Sequence, residues 1–384
     1  MTSIVIRVRG ARRWARGHPW VYRSDVLEPP SPVEAGIVRV LDPDGAPLGP
    51  ALYSPVSEIR LRFLDRGEVE IDAAWWERRL RAALERRSDI GDTAFRIVHA
   101  EADGLPSLIV DRYGPYVAVQ LLSAGLEAVR DDVLGAIRTA IAPAGIVLRN
   151  DVPIRAHEDL PREIETLGDV PDGVEVTMGG VRTRIDLRAG QKTGSFLDQR
   201  ENHSLAGSVA RGRGLDAFCY EGGFALHMAA GCEAVLAVDQ SERALARVLE
   251  NASLNGLDNL RTLEANAFDV LGETERGSER FDTIVLDPPA FARSRRSVPR
   301  ALTGYKEINL RAMRLLTPGG SLLSFSCSYH VSRGAFEDML ADAAGDSGRR
   351  IAVVRWLGAS RDHPAMLTIP ESSYLKGAWL TAAE

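Results

Sequence analysis

Two short runs hold the residues of this chain most able to do chemistry: Asp287-Pro288-Pro289-Ala290-Phe291 and Ser324-Phe325-Ser326-Cys327-Ser328. Each closes a largely apolar stretch, Phe281 to Leu286 and Leu322 to Phe325, that reads as a buried parallel strand opening at its C-terminal end onto a ligand crevice. If the two strands are neighbours, a carboxylate and a thiol face one pocket. A thiolate is nucleophilic enough to add to an electron-poor ring such as a pyrimidine. The plainer alternative makes Asp-Pro-Pro a strand terminator and Cys327 a small core residue, since free cysteine is often buried. Against it stands a nucleotide-type binding pattern upstream of both turns.

That pattern is Leu215-Asp216-Ala217-Phe218-Cys219-Tyr220-Glu221-Gly222-Gly223-Phe224, a strand, a turn and a glycine pair opening a helix. Gly222 and Gly223 let a ligand approach the backbone, with Phe218 and Tyr220 in the same turn. It is neither G-x-G-x-x-G nor a Gly-Lys-Ser/Thr loop, which disfavours pyrophosphate. The next strand ends Ala237-Val238-Asp239, and an acid at a strand tip can accept hydrogen bonds from both ribose hydroxyls. Asp239 as an ordinary helix cap is the competing reading. A ribose-binding acid without a phosphate loop points to S-adenosylmethionine, a nucleoside with no phosphates.

The elements that must position these residues alternate strand and helix from about 191 onward, the grammar of a doubly wound sheet. Strands are expected at Gly214 to Ala217, Ala234 to Val238, Leu260 to Leu263, Phe281 to Leu286 and Ser321 to Phe325, with closing strands near Ile351 to Leu357 and Gly377 to Leu380. Helices are expected at Gly223 to Ala230, Ser241 to Asn255 and Tyr305 to Leu316. Upstream, residues 1–70 read as short punctuated β segments (Ile4 to Arg9, Ile37 to Val40, Ala51 to Tyr53, Ile59 to Phe63), a small β-barrel. Residues 71–190 read as a central α+β unit. Its strands fall near Phe95 to Val98, Ser107 to Val110, Val117 to Leu122 and Ile146 to Arg149. A helix spans Leu126 to Ile141, and Gly179-Gly180 makes a hairpin. The expected class is therefore α/β, with domains 1–70, 71–190 and 191–384.

Bulk composition narrows the partners. A hydrophobic content of 45% and a charged content of 26% over 384 residues are those of a globular chain with room for several cores. No apolar run is long enough to span a membrane and the first residues lack a signal-peptide core, so a cytoplasmic location is expected. Cys219, Cys232 and Cys327 are odd in number without C-x-x-C spacing, which argues against a disulfide framework and against a metal site. The net charge is −6, yet two segments are basic without acids. One carries Arg7, Arg9, Arg12, Arg13, Arg16 and Arg23. The other follows Asp-Pro-Pro with Arg293, Arg295, Arg296, Arg300 and Lys306. Either alone is as well explained as a solvated face; both together in an acidic chain favour phosphate binding, hence RNA, with Arg12, Arg13, Arg16, Arg293, Arg295, Arg296 and Lys306 as contacts. Only three lysines stand beside forty-four arginines: Lys192, Lys306 and Lys376.

Seven segments in order (Lys192-Thr-Gly-Ser-Phe-Leu-Asp-Gln-Arg200, Phe218 to Phe224, Ala237 to Asp239, Asp287 to Phe291, Gly304-Tyr-Lys-Glu-Ile-Asn309, Phe325 to Ser328 and Tyr374-Leu-Lys-Gly377) resemble those of the bacterial 23S rRNA cytosine-5 methyltransferases of the large-subunit methyltransferase I type. Gly17-His-Pro-Trp-Val-Tyr22 resembles the start of that family's RNA-binding PUA domain. The resemblance implies S-adenosylmethionine as cofactor, held by Asp198, Gln199, Phe218, Tyr220, Gly222, Gly223, Asp239, Asn266 and Asp287. Asp287 also faces the target base, and Cys327 adds to C6 of cytosine. It implies 23S rRNA or a large-subunit assembly intermediate as substrate, and leaves a homodimer open. Two residues depart from the family pattern: Ala290 where lysine is frequent, and Asn266 where aspartate is common. A guanine-N2 methyltransferase of 23S rRNA shares the Lys-Thr-Gly and Asp-Pro-Pro segments, but lacks the thiol. A catalytically silent RNA-binding relative predicts damage at Asp239, Asp287 or Cys327, and all three are intact.

Overall fold

The computed structural model describes residues 2–27 and 31–383. The chain divides into two compact units, Met1–Val176 with Arg184–Leu197 and Asp362–Ser372, and Thr177–Thr183 with Asp198–Arg361 and Ser373–Glu384.

The first unit contains two five-stranded sheets. In one, Ser3–Val5, Gly36–Leu41, Pro47–Tyr53, Ile59–Phe63 and Trp20–Tyr22 lie side by side in that order. Buried Val38 and Val40 flank exposed Arg39, the period of two that seats one face on a core of Ile4, Val21, Leu61 and Phe63. The expected strand from Ile4 to Arg9 is corrected here: it stops at Val5 and a helix runs over Val8–Ala15. Gly10 makes that helix possible, because a Cβ there would stand 3.1 Å from Val21 and 3.3 Å from Asp25. Arg9 Nε donates to Asp25 Oδ1 at 2.5 Å and Trp14 stacks on Phe63 with centroids 4.2 Å apart. These tertiary contacts outweigh a strand-like local pattern.

In the other sheet the order is Ile164–Gly168, Gly145–Arg149, Tyr116–Leu121, Leu108–Tyr113, Ala94–His99. The helices Ala73–Glu85 and Arg130–Ile141 cover it, burying Trp75, Trp76, Leu80 and Ile137. The helix expected from Leu126 is broken in two, Ala124–Glu127 and Arg130–Ile141. Buried ion pairs brace the sheet: Arg87 grips Asp103 at 2.6 and 2.8 Å, and Arg96 grips Asp111 at 2.7 and 2.8 Å. Removing one partner of such a pair costs about 3–5 kcal/mol, because the other charge stays buried. Asp111 also accepts from Thr193 Oγ1 at 2.6 Å, and the Tyr113 hydroxyl accepts from Ser195 N at 3.1 Å. The Lys192-Thr-Gly-Ser turn is thereby pinned to the sheet.

The second unit is built on seven strands: β1 (Arg213–Asp216), β2 (Ala234–Asp239), β3 (Leu260–Glu264), β4 (Phe281–Leu286), β5 (Leu316–Ser326), β6 (Ile351–Leu357) and β7 (Lys376–Ala382). Its helices are α1 (Arg200–Val209), α2 (Gly223–Ala229), α3 (Glu242–Leu254), α4 (Ala267–Arg276), α5 (Val298–Leu315) and α6 (Arg333–Ser347). The sheet order is β3-β2-β1-β4-β5-β7-β6, parallel except for β7, which runs antiparallel to both neighbours. Progression reverses between β1 and β4, and a ligand crevice belongs at the carboxyl ends of the strands there. β4 is buried on both faces, Thr283 through Leu286 being fully enclosed, which explains its unbroken apolar run. Ser241 caps α3 by accepting from Ala244 N at 3.2 Å, as its sequence signature indicates. Helices α4 and α6 lie outside the sequence expectation, and α5 begins seven residues before Tyr305 with Pro299 in its first turn. Among the described residues no helix is long and apolar enough to cross a membrane.

Candidate functional site

The carboxyl ends of β1, β2 and β4 each carry an acid. Asp216 closes β1 and is fully buried; its Oδ2 accepts from Ala225 N at 2.9 Å, and its Oδ1 has no hydrogen-bond partner of good geometry. Burial, with Asp287 and Asp239 adding and the Ala225 and Phe218 N–H groups opposing, pushes its carboxyl up to about 8. It is therefore held as the neutral acid at neutral pH. Asp239 ends β2 and organises the turn: Oδ2 accepts from Tyr220 N at 2.9 Å and Oδ1 from Ser241 N at 3.0 Å. Tyr220 takes a left-handed backbone (φ 46°), and Gly222 (φ 87°) starts α2. The two glycines differ from the expectation of an opening for a ligand: a Cβ on Gly223 would stand 2.6 Å from the His203 ring and one on Gly222 3.2 Å from Val248, so packing against protein requires them. Phe218 is half-buried against the neighbouring core.

Asp198 and Gln199 lie just before α1, both buried. Asp198 Oδ2 accepts from the Tyr374 hydroxyl at 2.7 Å, and Gln199 Oε1 accepts from Asn202 Nδ2 at 2.6 Å. Asn266 caps α4, its Oδ1 accepting from Phe268 N at 2.9 Å. A cationic nucleoside fits these surroundings: Asp239 and Asp287 stand at neighbouring strand ends, with the enclosed, neutral Asp216 between them. Among the described residues no cluster of His, Cys, Asp and Glu is arranged for a metal ion.

The two chemistry-bearing turns meet, because their strands are neighbours. β4 and β5 pair in parallel with Leu286 opposite Ser324, so Asp287 and Cys327 both lie just past the paired ends. Cys327 Sγ lies 3.9 Å from the Pro288 carbonyl. Neighbouring groups lock the turn. Ser328 Oγ accepts from Ala292 N at 3.1 Å and lies 2.9 Å from the Tyr305 hydroxyl of α5. Lys376 Nζ donates to the Ser328 carbonyl at 2.7 Å and to the Tyr374 carbonyl at 2.8 Å. Cys327 is half-buried, whereas Cys219 and Cys232 are enclosed. Burial raises both enclosed thiols, Cys232 to about 11 and Cys219 further.

The basic residues divide. Arg293, Arg295, Arg296 and Arg300 are exposed on the segment that begins at Ala292, itself tied to the thiol turn, whereas α5 buries Ala301, Tyr305 and Ile308 on its other face. Arg12 and Arg16 stand on the Val8–Ala15 helix and its cap, while Arg13 is half-buried, 3.4 Å from Asp25 and over the Tyr22 ring. Lys306, expected beside these arginines, pairs with Asp346 at 2.7 Å and Asp342 at 4.0 Å on α6. Sequence reasoning passed over two residues of this site. Asp216 and Lys376 each stood inside a quoted motif without a role, Lys376 being marked also by lysine's rarity.

Comparison with known proteins agrees with this geometry. A model of the S-adenosylmethionine-dependent methyltransferase family matches residues 127–364, and one of the PUA-like domain matches residues 4–66. The ribosomal RNA large subunit methyltransferase I of Aeromonas hydrophila subsp. hydrophila is 38% identical over 392 residues, 98% of this chain and 98% of its own. That of Photobacterium profundum is 37% identical with the same coverage. A solved structure described as a SAM-dependent methyltransferase, from Streptococcus mutans, superposes with a TM-score of 0.81 at 20% identity, covering 99% of this chain and 100% of its own, and shows the shared fold.

Sheet order, acid-tipped strands and family model agree on the class: an S-adenosylmethionine-dependent methyltransferase with a Rossmann-like sheet and an N-terminal PUA-like domain, using S-adenosylmethionine as cofactor. The nearly full-length match is narrower than the class. The chain belongs to the ribosomal RNA large subunit methyltransferase I family.

Proposed function

We propose that the protein methylates C5 of a cytosine in 23S rRNA, either free or in a partly assembled large subunit. The observation that carries this reading is a half-buried thiol, Cys327, standing at the end of β5 against the Asp287-Pro288 turn of β4. Cytosine C5 is a poor nucleophile, so direct methylation needs prior activation. The Cys327 thiolate forms a bond to C6, and the displaced electron pair makes C5 an enamine-type nucleophile. When bound, S-adenosylmethionine supplies a methyl group made electrophilic by its sulfonium charge. After C5 has gained the methyl, a base takes the C5 proton and the C6–S bond breaks to restore the ring. Asp287 accepts a hydrogen bond from the exocyclic amine and so orients the base.

In the same reading Asp239 accepts from the ribose hydroxyls through lone pairs its two backbone bonds leave over. Gly222, Gly223, Tyr220 and Phe218 form the floor and wall of the cofactor site. Asp198, Gln199 and Asn266 complete it, although each also holds protein structure. The arginines Arg293, Arg295 and Arg296, with Arg12, Arg13 and Arg16 of the PUA-like part, bind phosphates. We further propose that segments 1–70, 71–190 and 191–384 act as RNA-binding, linking and catalytic parts. Sedimentation of the purified protein reads whether two copies act together.

The test is Cys327→Ala. It should abolish methyl transfer while cofactor affinity stays near wild type, and Cys327→Ser should not restore activity, because an alkoxide forms far less readily than a thiolate near neutral pH. Wild type should form a denaturation-resistant complex with RNA carrying 5-fluorocytosine, since fluorine blocks loss of the C5 substituent. Activity retained by Cys327→Ala, or N2-methylguanosine as product, would overturn the proposal.

A further inference from the structure

Lys376 is one of three lysines among forty-seven basic residues, and it is only 4% exposed. It opens β7 directly opposite Ser326 in the antiparallel ladder with β5, one residue before the thiol. Its Nζ spends two donors on the Ser328 and Tyr374 carbonyls, at 2.7 and 2.8 Å. Among the described residues no carboxylate lies within ion-pair distance of it, although Asp198 is held by the Tyr374 hydroxyl two residues away. An ammonium taken out of water without an anion is costly, by several kcal/mol for an isolated ion. Proteins normally avoid that cost or use it.

We propose that Lys376 is the buried counter-charge that keeps the Cys327 thiol ionised and nucleophilic. The carbonyls of Ser328 and Tyr374 flank the ammonium and fix its place; being neutral, they leave its charge uncompensated. The sulfur is the anion that remains. Burial pushes Lys376 down to about 8, Cys327 counters that shift, and Arg333 at the start of α6 reinforces it. The other ionisable groups around the thiol are Tyr305 of α5, whose hydroxyl is raised by burial and by Cys327 itself, and Asp287 of the β4 turn. Neither supplies a positive charge. With two of its three protons on the carbonyls, the ammonium keeps one to point elsewhere. Lys376 thus acts through Cys327 as a positioning residue, and its role rests on the thiol chemistry proposed above.

The experiment needs neither RNA nor cofactor. Iodoacetamide alkylation of full-length protein, followed by peptide mass spectrometry at Cys327, gives the rate of thiolate capture against pH. In Lys376→Met the rate near pH 7 should fall about tenfold or more, the profile should move to higher pH, and the alkaline plateau should be unchanged, as expected for loss of an adjacent opposite charge. Lys376→Arg, which keeps a positive charge, should restore a profile close to wild type. An unchanged midpoint in Lys376→Met overturns the proposal. Should that variant fail to fold, the wild type still decides: the ultraviolet thiolate absorbance missing in Cys327→Ala should already be present near neutral pH. Its appearance only near the ordinary thiol value of about 8.5 would refute the assignment. Either negative result leaves the cytosine reading standing, whereas methyl transfer by Cys327→Ala removes that reading even if the thiol proves ionised.

Discussion

Replacing Asp216 by asparagine should stabilise the protein at high pH and do nothing at low pH. The wild-type carboxyl is fully enclosed at the end of β1, with one oxygen bonded to Ala225 N and the other unpartnered. Its pKa is raised from 3.8 to about 8, chiefly by burial. Below the unfolded value both states carry the proton and folding is indifferent to pH. Between about 4 and 8 the unfolded chain releases the proton while the folded chain keeps it, so stability falls with rising pH by about 1.4 kcal/mol per unit. Above about 8 both states are ionised and the loss is complete. At pH 7 the accumulated cost is roughly 4 kcal/mol. Asparagine keeps the acceptor for Ala225 N and cannot ionise, so Asp216→Asn should recover much of that cost. The assay is thermal or urea unfolding of both proteins from pH 4.5 to 8.5. The difference between them should grow with pH and level off near pH 8. A constant difference, or a variant less stable than wild type at pH 8, would show that Asp216 is not held neutral.

Three further outcomes follow from the same geometry. Asp239→Ala should weaken S-adenosylmethionine binding by about 1–3 kcal/mol in calorimetry, the usual cost of stranding hydrogen-bond partners; unchanged affinity would take Asp239 out of the site. The triple change Arg293→Ala, Arg295→Ala, Arg296→Ala should weaken RNA binding and flatten its salt dependence, by about 0.7–0.9 in log–log slope for each phosphate left without its arginine. Lys306→Ala should leave both the affinity and the slope unchanged, because its charge is already matched by Asp346 and Asp342; a shallower slope would return it to the RNA surface.

What the sequence discloses depends on how local the cause is. The β4 and β5 runs were legible because a central parallel strand must be apolar on both faces, and a turn must follow where each ends. From that alone each of Asp287 and Cys327 falls at a strand's C-terminal end; that the ends adjoin is conditional on the strands being neighbours, and the pairing of Leu286 with Ser324 supplies it. The glycine turn and the Ser241 cap were legible for the same reason, since backbone geometry restricts which residues can occupy them. The Val8–Ala15 helix was not. Val8, Ala11, Trp14 and Ala15 recur at helical spacing, but the alternation of Ile4 to Arg9 overlaps its start, and Asp25, Phe63 and Val21, none of them within a helical turn, hold it in place.

Charge is the least legible property, because its effect is set by partners that sequence does not place. Lys306 sits in a run of basic residues, yet its counter-ions are Asp342 and Asp346 from another helix. Lys376 shows the converse. It lies in a nearly neutral stretch, yet it is buried, and among the described residues no carboxylate pairs with it. Asp216 differs from Asp239 by nothing visible in composition: both end strands, and both follow apolar residues. One is enclosed and held neutral, while the other is half-buried and satisfied by two backbone N–H groups. Burial therefore gives two identical side chains different states, one enclosed and neutral and one half-exposed, which is why only Asp239 is proposed to meet the ribose.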